Sequence, residues 1–164
     1  MPTDETILIT GANGEIGHGL IQHLCSSHQA RIVATDIVPL DSSLQAACHT
    51  FVQGDITDPA LATRLGGEHV FTTIYHLASI LSTKGERDPE LAHHVNVDGT
   101  LGLLRLASDQ SGKLGRPVKF IYPSSIAAYG IPDLETKQRE GRVVREDEWC
   151  FPATMYGVNK LTCE

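Results

Sequence analysis

The run Gly11-Ala12-Asn13-Gly14-Glu15-Ile16-Gly17 follows a short apolar segment, Thr6-Ile7-Leu8-Ile9-Thr10, and opens onto helically spaced apolar residues at Ile16, Leu20, Ile21 and Leu24. A strand, a glycine-rich turn and a helix in that order constrain the fold more than any other feature of this chain. Glycine lets the backbone turn tightly, lets it approach a bulky anion closely, and lets helix pack on strand. The free N–H groups of the helix start then face that anion. The bland alternative is an ordinary tight connection between strand and helix.

Asp36 stands nineteen residues beyond Gly17, at the end of a second β-rich run, Arg31-Ile32-Val33-Ala34-Thr35. A carboxylate there can accept hydrogen bonds from the hydroxyls of an adenosine ribose, and it repels a 2′-phosphate. The expected ligand is therefore a dinucleotide, NAD in preference to NADP. Its contacts are expected at Gly11, Asn13, Gly14, Glu15, Ile16, Gly17 and Asp36. Asp55 and Ile56 follow a third run, Thr50–Gln53, where a polar side chain can meet adenine's amino group and an apolar one can cover the ring. That pair alone is weak, since aspartate after a strand is often only a turn residue.

Further along, Asp58-Pro59 predicts a helix start with Asp58 as N-cap. Thr73–Leu77 predicts a fourth strand, Leu91–Ala107 one long helix, and Val118–Tyr122 a fifth strand. The segment 130–150 is polar and aperiodic and reads as a long loop, and a last helix is expected from about Ala153. Alternating strands and helices with continuous apolar strands imply an α/β fold: a Rossmann-type, doubly wound parallel sheet with helices on both faces.

Composition narrows the function. The formal charge of −7 disfavours a general nucleic-acid role. The four cysteines form no C-x-x-C pair and read as scattered reduced thiols in a cytoplasmic protein. Of the eight histidines, His18, His23 and His28 recur every five residues, which spreads them around a helix, and no metal site is expected. No signal peptide or membrane-spanning stretch is read.

Tyr156-Gly157-Val158-Asn159-Lys160 places a phenol and an ammonium on one helix face. A lysine beside the phenol favours the phenolate, which can accept the proton of a substrate hydroxyl. Lys160 can also reach a nicotinamide ribose. Ser125, after the fifth strand, can hydrogen-bond the same substrate oxygen. Tyr and Lys four apart occur often by chance; the order of glycine loop, Asp36, Ser125 and Tyr156/Lys160 is what makes the pair informative.

Together with Gly54-Asp55-Ile56, His76-Leu77-Ala78-Ser79, Val95-Asn96-Val97-Asp98-Gly99-Thr100 and Pro123-Ser124-Ser125-Ile126-Ala127-Ala128-Tyr129-Gly130, these runs resemble the extended short-chain dehydrogenase/reductase family, also called the NAD-dependent epimerase/dehydratase family. The resemblance covers nearly the whole chain. It implies an NAD-dependent oxidoreductase with Ser125, Tyr156 and Lys160 as catalytic residues, Ser125 taking the serine role because it precedes Ile126. It implies further cofactor contacts at Leu77, Ala78, Ser79 and Asn96, besides Tyr156 and Lys160.

The segment Ile80–Ala92, with Pro123–Gly130 and Thr154–Gly157, resembles the short-chain type of L-threonine 3-dehydrogenase. In that reading Ser82, Ser125 and Tyr156 meet the substrate, a small 3-hydroxy amino acid. A nucleotide-sugar 4-epimerase is the alternative, and an NAD-binding module without turnover is the non-enzyme alternative. Members of the family run to roughly twice this length. The chain 1–164 is therefore expected to be an NAD-binding Rossmann domain that lacks the family's C-terminal part and substrate domain. Poor turnover alone and a homo-oligomer are expected, with no nucleic-acid or membrane partner.

Overall fold

The computed structural model describes residues 5–27, 30–131, 133–139 and 144–164; His28 lies outside the described residues. Five strands, β1 (Thr6–Thr10), β2 (Arg31–Asp36), β3 (Thr50–Gln53), β4 (Thr73–His76) and β5 (Lys119–Ile121), form one sheet in the order β3-β2-β1-β4-β5. Every neighbouring pair is parallel. The described helices are α1 (Glu15–Ser27), α2 (Ser42–Ala47), α3 (Pro59–Glu68), α4 (Ser82–Arg87), α5 (Pro89–His93), α6 (Gly99–Leu114), α7 (Leu134–Arg139) and α8 (Met155–Cys163).

The described residues group into two compact units, one from Met1–Ser79 with Asp98–Pro123, the other from Ile80–Val97 with Ser124–Glu164. The first unit holds the sheet. Side chains alternate across a strand, so each strand feeds two cores. Leu8, Val33 and Ile74 pack with Leu61 and Leu65 of α3 and Leu103 and Leu106 of α6. Ile7, Ile9, Ile32 and Ala34 pack with Ile21 and Leu24 of α1 and Leu44 of α2. Burial on both faces explains why these strands read as unbroken apolar runs, and it gives the expected α/β sandwich. Asp58 caps α3 as expected, accepting the Ala60 N–H, with Pro59 at the first helical position.

A buried amide braces the first core. Gln110 is fully buried; its Oε1 accepts the Phe71 N–H at 3.0 Å and its Nε2 donates to the Gly66 carbonyl at 3.2 Å. Among the described residues no helix is long and apolar enough to cross a membrane.

The structure departs from the sequence expectations in three places. The long helix expected over Leu91–Ala107 is α5, a π-helical turn at His94–Asp98, and then α6. A π turn inserts an extra residue into the helical ladder and is often found at functional positions. Here it puts Asn96 inside the second unit, where its amide accepts the Ile80 N–H at 2.7 Å and donates to the Ile80 carbonyl at 3.0 Å. The expected loop 130–150 contains α7, started by Asp133, whose carboxylate accepts both the N–H and the O–H of Thr136. Helices α2 and α4 were not anticipated.

Candidate functional site

The glycine loop lies in the first unit. Gly11 has φ +67°, a left-handed conformation that glycine adopts without strain. It also abuts the neighbouring loop: a Cβ on Gly11 would sit 2.5 Å from the Ala78 nitrogen, and one on Gly17 would sit 2.6 Å from the Ala12 oxygen. Gly14, Glu15 and Ile16 are exposed, and among the described residues a Cβ on Gly14 would meet only the Gly11 oxygen, at 3.3 Å. The start of α1 is thus open to solvent, with its first-turn N–H groups at the mouth of the turn, and the cradle fits a pyrophosphate.

Asp36 holds this loop in place. Its Oδ2 accepts the Asn13 N–H at 2.9 Å and its Oδ1 accepts the Val38 N–H at 3.0 Å. Each carboxylate oxygen keeps a second lone pair, enough for two ribose hydroxyls. Asn13 in turn meets His18, its Oδ1 lying 3.1 Å from the imidazole Nε2.

Asp55 and Ile56 follow β3 on the same side. Asp55 Oδ1 takes the N–H and O–H of Thr57, so this carboxylate builds a local turn. Ile56 packs over Gly99, whose missing Cβ would lie 2.7 Å from the Ile56 Cδ1. Leu77, Ala78 and Ser79 leave β4 half-buried beside the glycine loop.

The second unit gathers Ser82, Asn96, Ser125, Tyr156 and Lys160. Its organising element is α8. Thr154 caps the helix by accepting the Gly157 N–H at 3.1 Å, and the Glu86 carboxylate, from α4, accepts the Met155 N–H at 2.5 Å. These two caps bracket Tyr156. Sequence reasoning missed Glu86, since a contact across sixty-nine residues leaves no local pattern. The Lys160 Nζ lies 5.6 Å from the centre of the Tyr156 ring, so the i, i+4 spacing brings ammonium and phenol together as expected. Lys160 is only 3% exposed. Burial pushes its pKa below the ordinary lysine value, with Cys163 pulling weakly the other way.

Ser125 starts a 3-10 turn at Ile126–Ala128, its Oγ accepting the Ala127 N–H at 3.2 Å. Its hydroxyl hydrogen is directed by whatever acceptor it meets. Ser124 is exposed and hydrogen-bonds the Glu164 carboxylate. Asn159 is fully buried, with its Oδ1 3.2 Å from the His93 Nδ1, which ties α8 to α5. Ser82 is half-buried at the first position of α4. Among the described residues no group of three or more His, Cys, Asp or Glu side chains is placed to hold a metal ion.

Residues 7–164 match the model of the NAD dependent epimerase/dehydratase family. The chain is 30% identical to an uncharacterised epimerase/dehydratase of Staphylococcus saprophyticus over 159 residues, which are 96% of this chain and 46% of the relative. Among solved structures it is similar to a monomeric L-threonine 3-dehydrogenase from a metagenome, with a TM-score of 0.78, 33% identity, and coverage of 96% of this chain and 46% of that one. It is also similar to a nucleoside-diphosphate-sugar epimerase from Agrobacterium tumefaciens, with a TM-score of 0.76, 26% identity, and coverage of 97% of this chain and 46% of that one. The chain thus spans about half the length of the proteins it matches.

Proposed function

Since this chain belongs to the NAD-dependent epimerase/dehydratase family, we propose that it forms the NAD-binding part of an oxidoreductase that oxidises a secondary hydroxyl, with L-threonine or a similar 3-hydroxy amino acid as substrate. The observation that carries the reading is the pairing of Tyr156 with the buried Lys160 on a helix capped at both Met155 and Gly157. The Gly11–Gly17 loop would hold the pyrophosphate and Asp36 the adenosine ribose. When bound, NAD supplies the acceptor for a hydride.

The chain's own groups handle the proton. The Tyr156 phenolate takes the proton of the substrate hydroxyl, so the carbon–hydrogen electron pair can leave as hydride while the oxygen becomes a carbonyl. Lys160 stands beside the Tyr156 ring, where its ammonium, a charge that burial makes costly, is placed to face the phenol as it exchanges its proton. The Ser125 hydroxyl donates to the reacting oxygen, oriented by the Ala127 N–H that its own oxygen accepts. From L-threonine the product is 2-amino-3-ketobutyrate.

The likeness to a nucleoside-diphosphate-sugar epimerase favours a second reading, 4-epimerisation of a nucleotide sugar, which uses the same proton-handling set. An assay of the purified protein separates the two. NADH formation that depends on L-threonine supports the dehydrogenase. Interconversion of UDP-glucose and UDP-galactose without threonine oxidation replaces it with the epimerase. NAD binding with neither activity leaves a cofactor-binding module.

A further inference from the structure

The imidazole of His76 closes β4 inside the first unit and is 1% exposed. Burying an imidazole is costly unless both nitrogens find partners, and here both do. Nδ1 lies 2.7 Å from the Thr10 Oγ1, and Nε2 lies 2.9 Å from the Thr100 Oγ1 on α6. Phe120 and Tyr122 flank the ring, with centroids 6.0 and 5.7 Å away.

Thr10 is the joint between two loops. Its carbonyl accepts the Leu77 N–H at 3.1 Å, and its Oγ1 accepts the Ala78 N–H at 3.4 Å. The next residue is Gly11, which leaves no space for a side chain against Ala78. One Thr10 oxygen thus meets both the Ala78 N–H and the His76 Nδ1, while the other ring nitrogen is held by Thr100. The imidazole therefore locks the Thr10 rotamer in the orientation that receives Ala78.

The strand order says which part of a dinucleotide feels this lock. In the order β3-β2-β1-β4-β5, an adenosine on Asp36 lies over β2 and the pyrophosphate over the loop after β1. The loop after β4 falls on the opposite side of β1 and would meet the nicotinamide half. We propose that His76 is a positioning residue, which through Thr10 sets the Leu77–Ser79 backbone against the glycine loop and so fixes the nicotinamide half of the dinucleotide. This rests on the reading that the chain binds NAD.

The test compares NAD with ADP, a probe that reaches the adenosine and pyrophosphate sites only. His76→Phe keeps a planar ring and removes both nitrogens. Thr100→Val is the milder variant and removes only the hydroxyl at Nε2. In variants whose circular dichroism and cooperative melting match the parent, NAD affinity falls about tenfold, the scale of one hydrogen bond, while ADP affinity stays within about twofold. Equal loss for NAD and ADP, or no loss for either, overturns the proposal. If His76→Phe does not fold, Thr100→Val carries the same comparison. If the parent protein binds neither probe, the cofactor reading fails, and hydrogen exchange at the Ala78 amide then decides the positioning role: faster exchange in the variants upholds the lock on this loop, and unchanged exchange removes it.

Discussion

A side chain on Gly157 has nowhere to go, because its Cβ would lie 2.0 Å from the Ala127 carbonyl oxygen and 2.9 Å from the Pro152 Cβ. Helix α8 therefore rests directly on the backbone that follows Ser125, and the residue beside Tyr156 makes that contact. Gly157→Ala is expected to force the helix off the turn and destabilise the second unit by about 1–3 kcal/mol, the usual scale of overpacking. Thermal unfolding checks this. A melting temperature equal to the parent's would mean that the turn yields easily and that α8 is held elsewhere.

Asp36 holds the glycine loop and is proposed to read the ribose as well, and a conservative substitution separates the two tasks. Asp36→Ala removes the acceptor for the Asn13 and Val38 N–H groups, so it loosens the loop for any dinucleotide. Asp36→Asn keeps one carbonyl acceptor and removes the charge that repels a 2′-phosphate. The expected outcome is a preference for NAD over NADP that shrinks about tenfold in Asp36→Asn, measured as the ratio of dissociation constants. A preference that stays at the parent's value would place cofactor discrimination at another residue.

Tyr156→Phe removes the proposed proton acceptor and keeps the ring beside Lys160. Turnover of the family reaction is expected to drop by about 10²–10⁴-fold, the range for a lost general base, with NAD affinity nearly unchanged. Ser125→Ala is expected to slow the reaction less, since one hydrogen bond to the reacting oxygen is lost. Steady-state kinetics beside a binding titration would tell these apart, and a Phe variant with most of its turnover would end the assignment.

His69 gives the first unit a weakness toward acid. It ends α3 with its ring 5.7 Å from Phe71 and its Nε2 buried without a hydrogen-bond partner among the described residues. Burial, more than the nearby Arg31, His49 and Arg64, pulls its pKa below the ordinary histidine value, against the opposing pull of Glu68. The unfolded chain therefore binds this proton first. Stability is present above the unfolded value of about 6.5 and is lost as the pH falls below it toward the folded value. His69→Leu is expected to flatten the fall in melting temperature between about pH 7 and about pH 5. Parallel pH profiles for variant and parent would assign the acid sensitivity elsewhere.

The sheet was legible because each of its strands carries its own evidence. Thr6–Thr10 and Thr50–Gln53 match the structure residue for residue: the first is a central strand buried along nearly its whole length and so reads as an apolar run, and the second is an edge strand marked by its β-branched and aromatic residues Thr50, Phe51 and Val52. The Asp58-Pro59 start was legible for a local reason as well, one carboxylate and one missing N–H. Helices α2, α4 and α7 were not legible. Ser82–Arg87 is Ser-Thr-Lys-Gly-Glu-Arg with Gly85 its only buried residue, and Ser42–Ala47 buries only Leu44, so neither carries a helical apolar period. The π turn was hidden, and so was the contact that goes with it, since Asn96 bonds the backbone of Ile80, sixteen residues away. The candidate site divides the same way. Residue types in fixed order pointed to Ser125, Tyr156 and Lys160, whereas Glu86 and the Thr10–His76–Thr100 chain are contacts between distant segments that no window of sequence contains.

The tight contact at Gly99 differs in kind from the one at Gly11. Against Gly11 stand backbone atoms of Leu77 and Ala78, which no substitution can trim. Against Gly99 stands the end of the Ile56 side chain, 2.7 Å from the missing Cβ. Position 99 can therefore gain a methyl group in any lineage where position 56 has first lost one, while position 11 has no such suppressor. Ile56 and Gly99 are thus sterically coupled, and a library built at residue 56 would also decide which residues residue 99 can become.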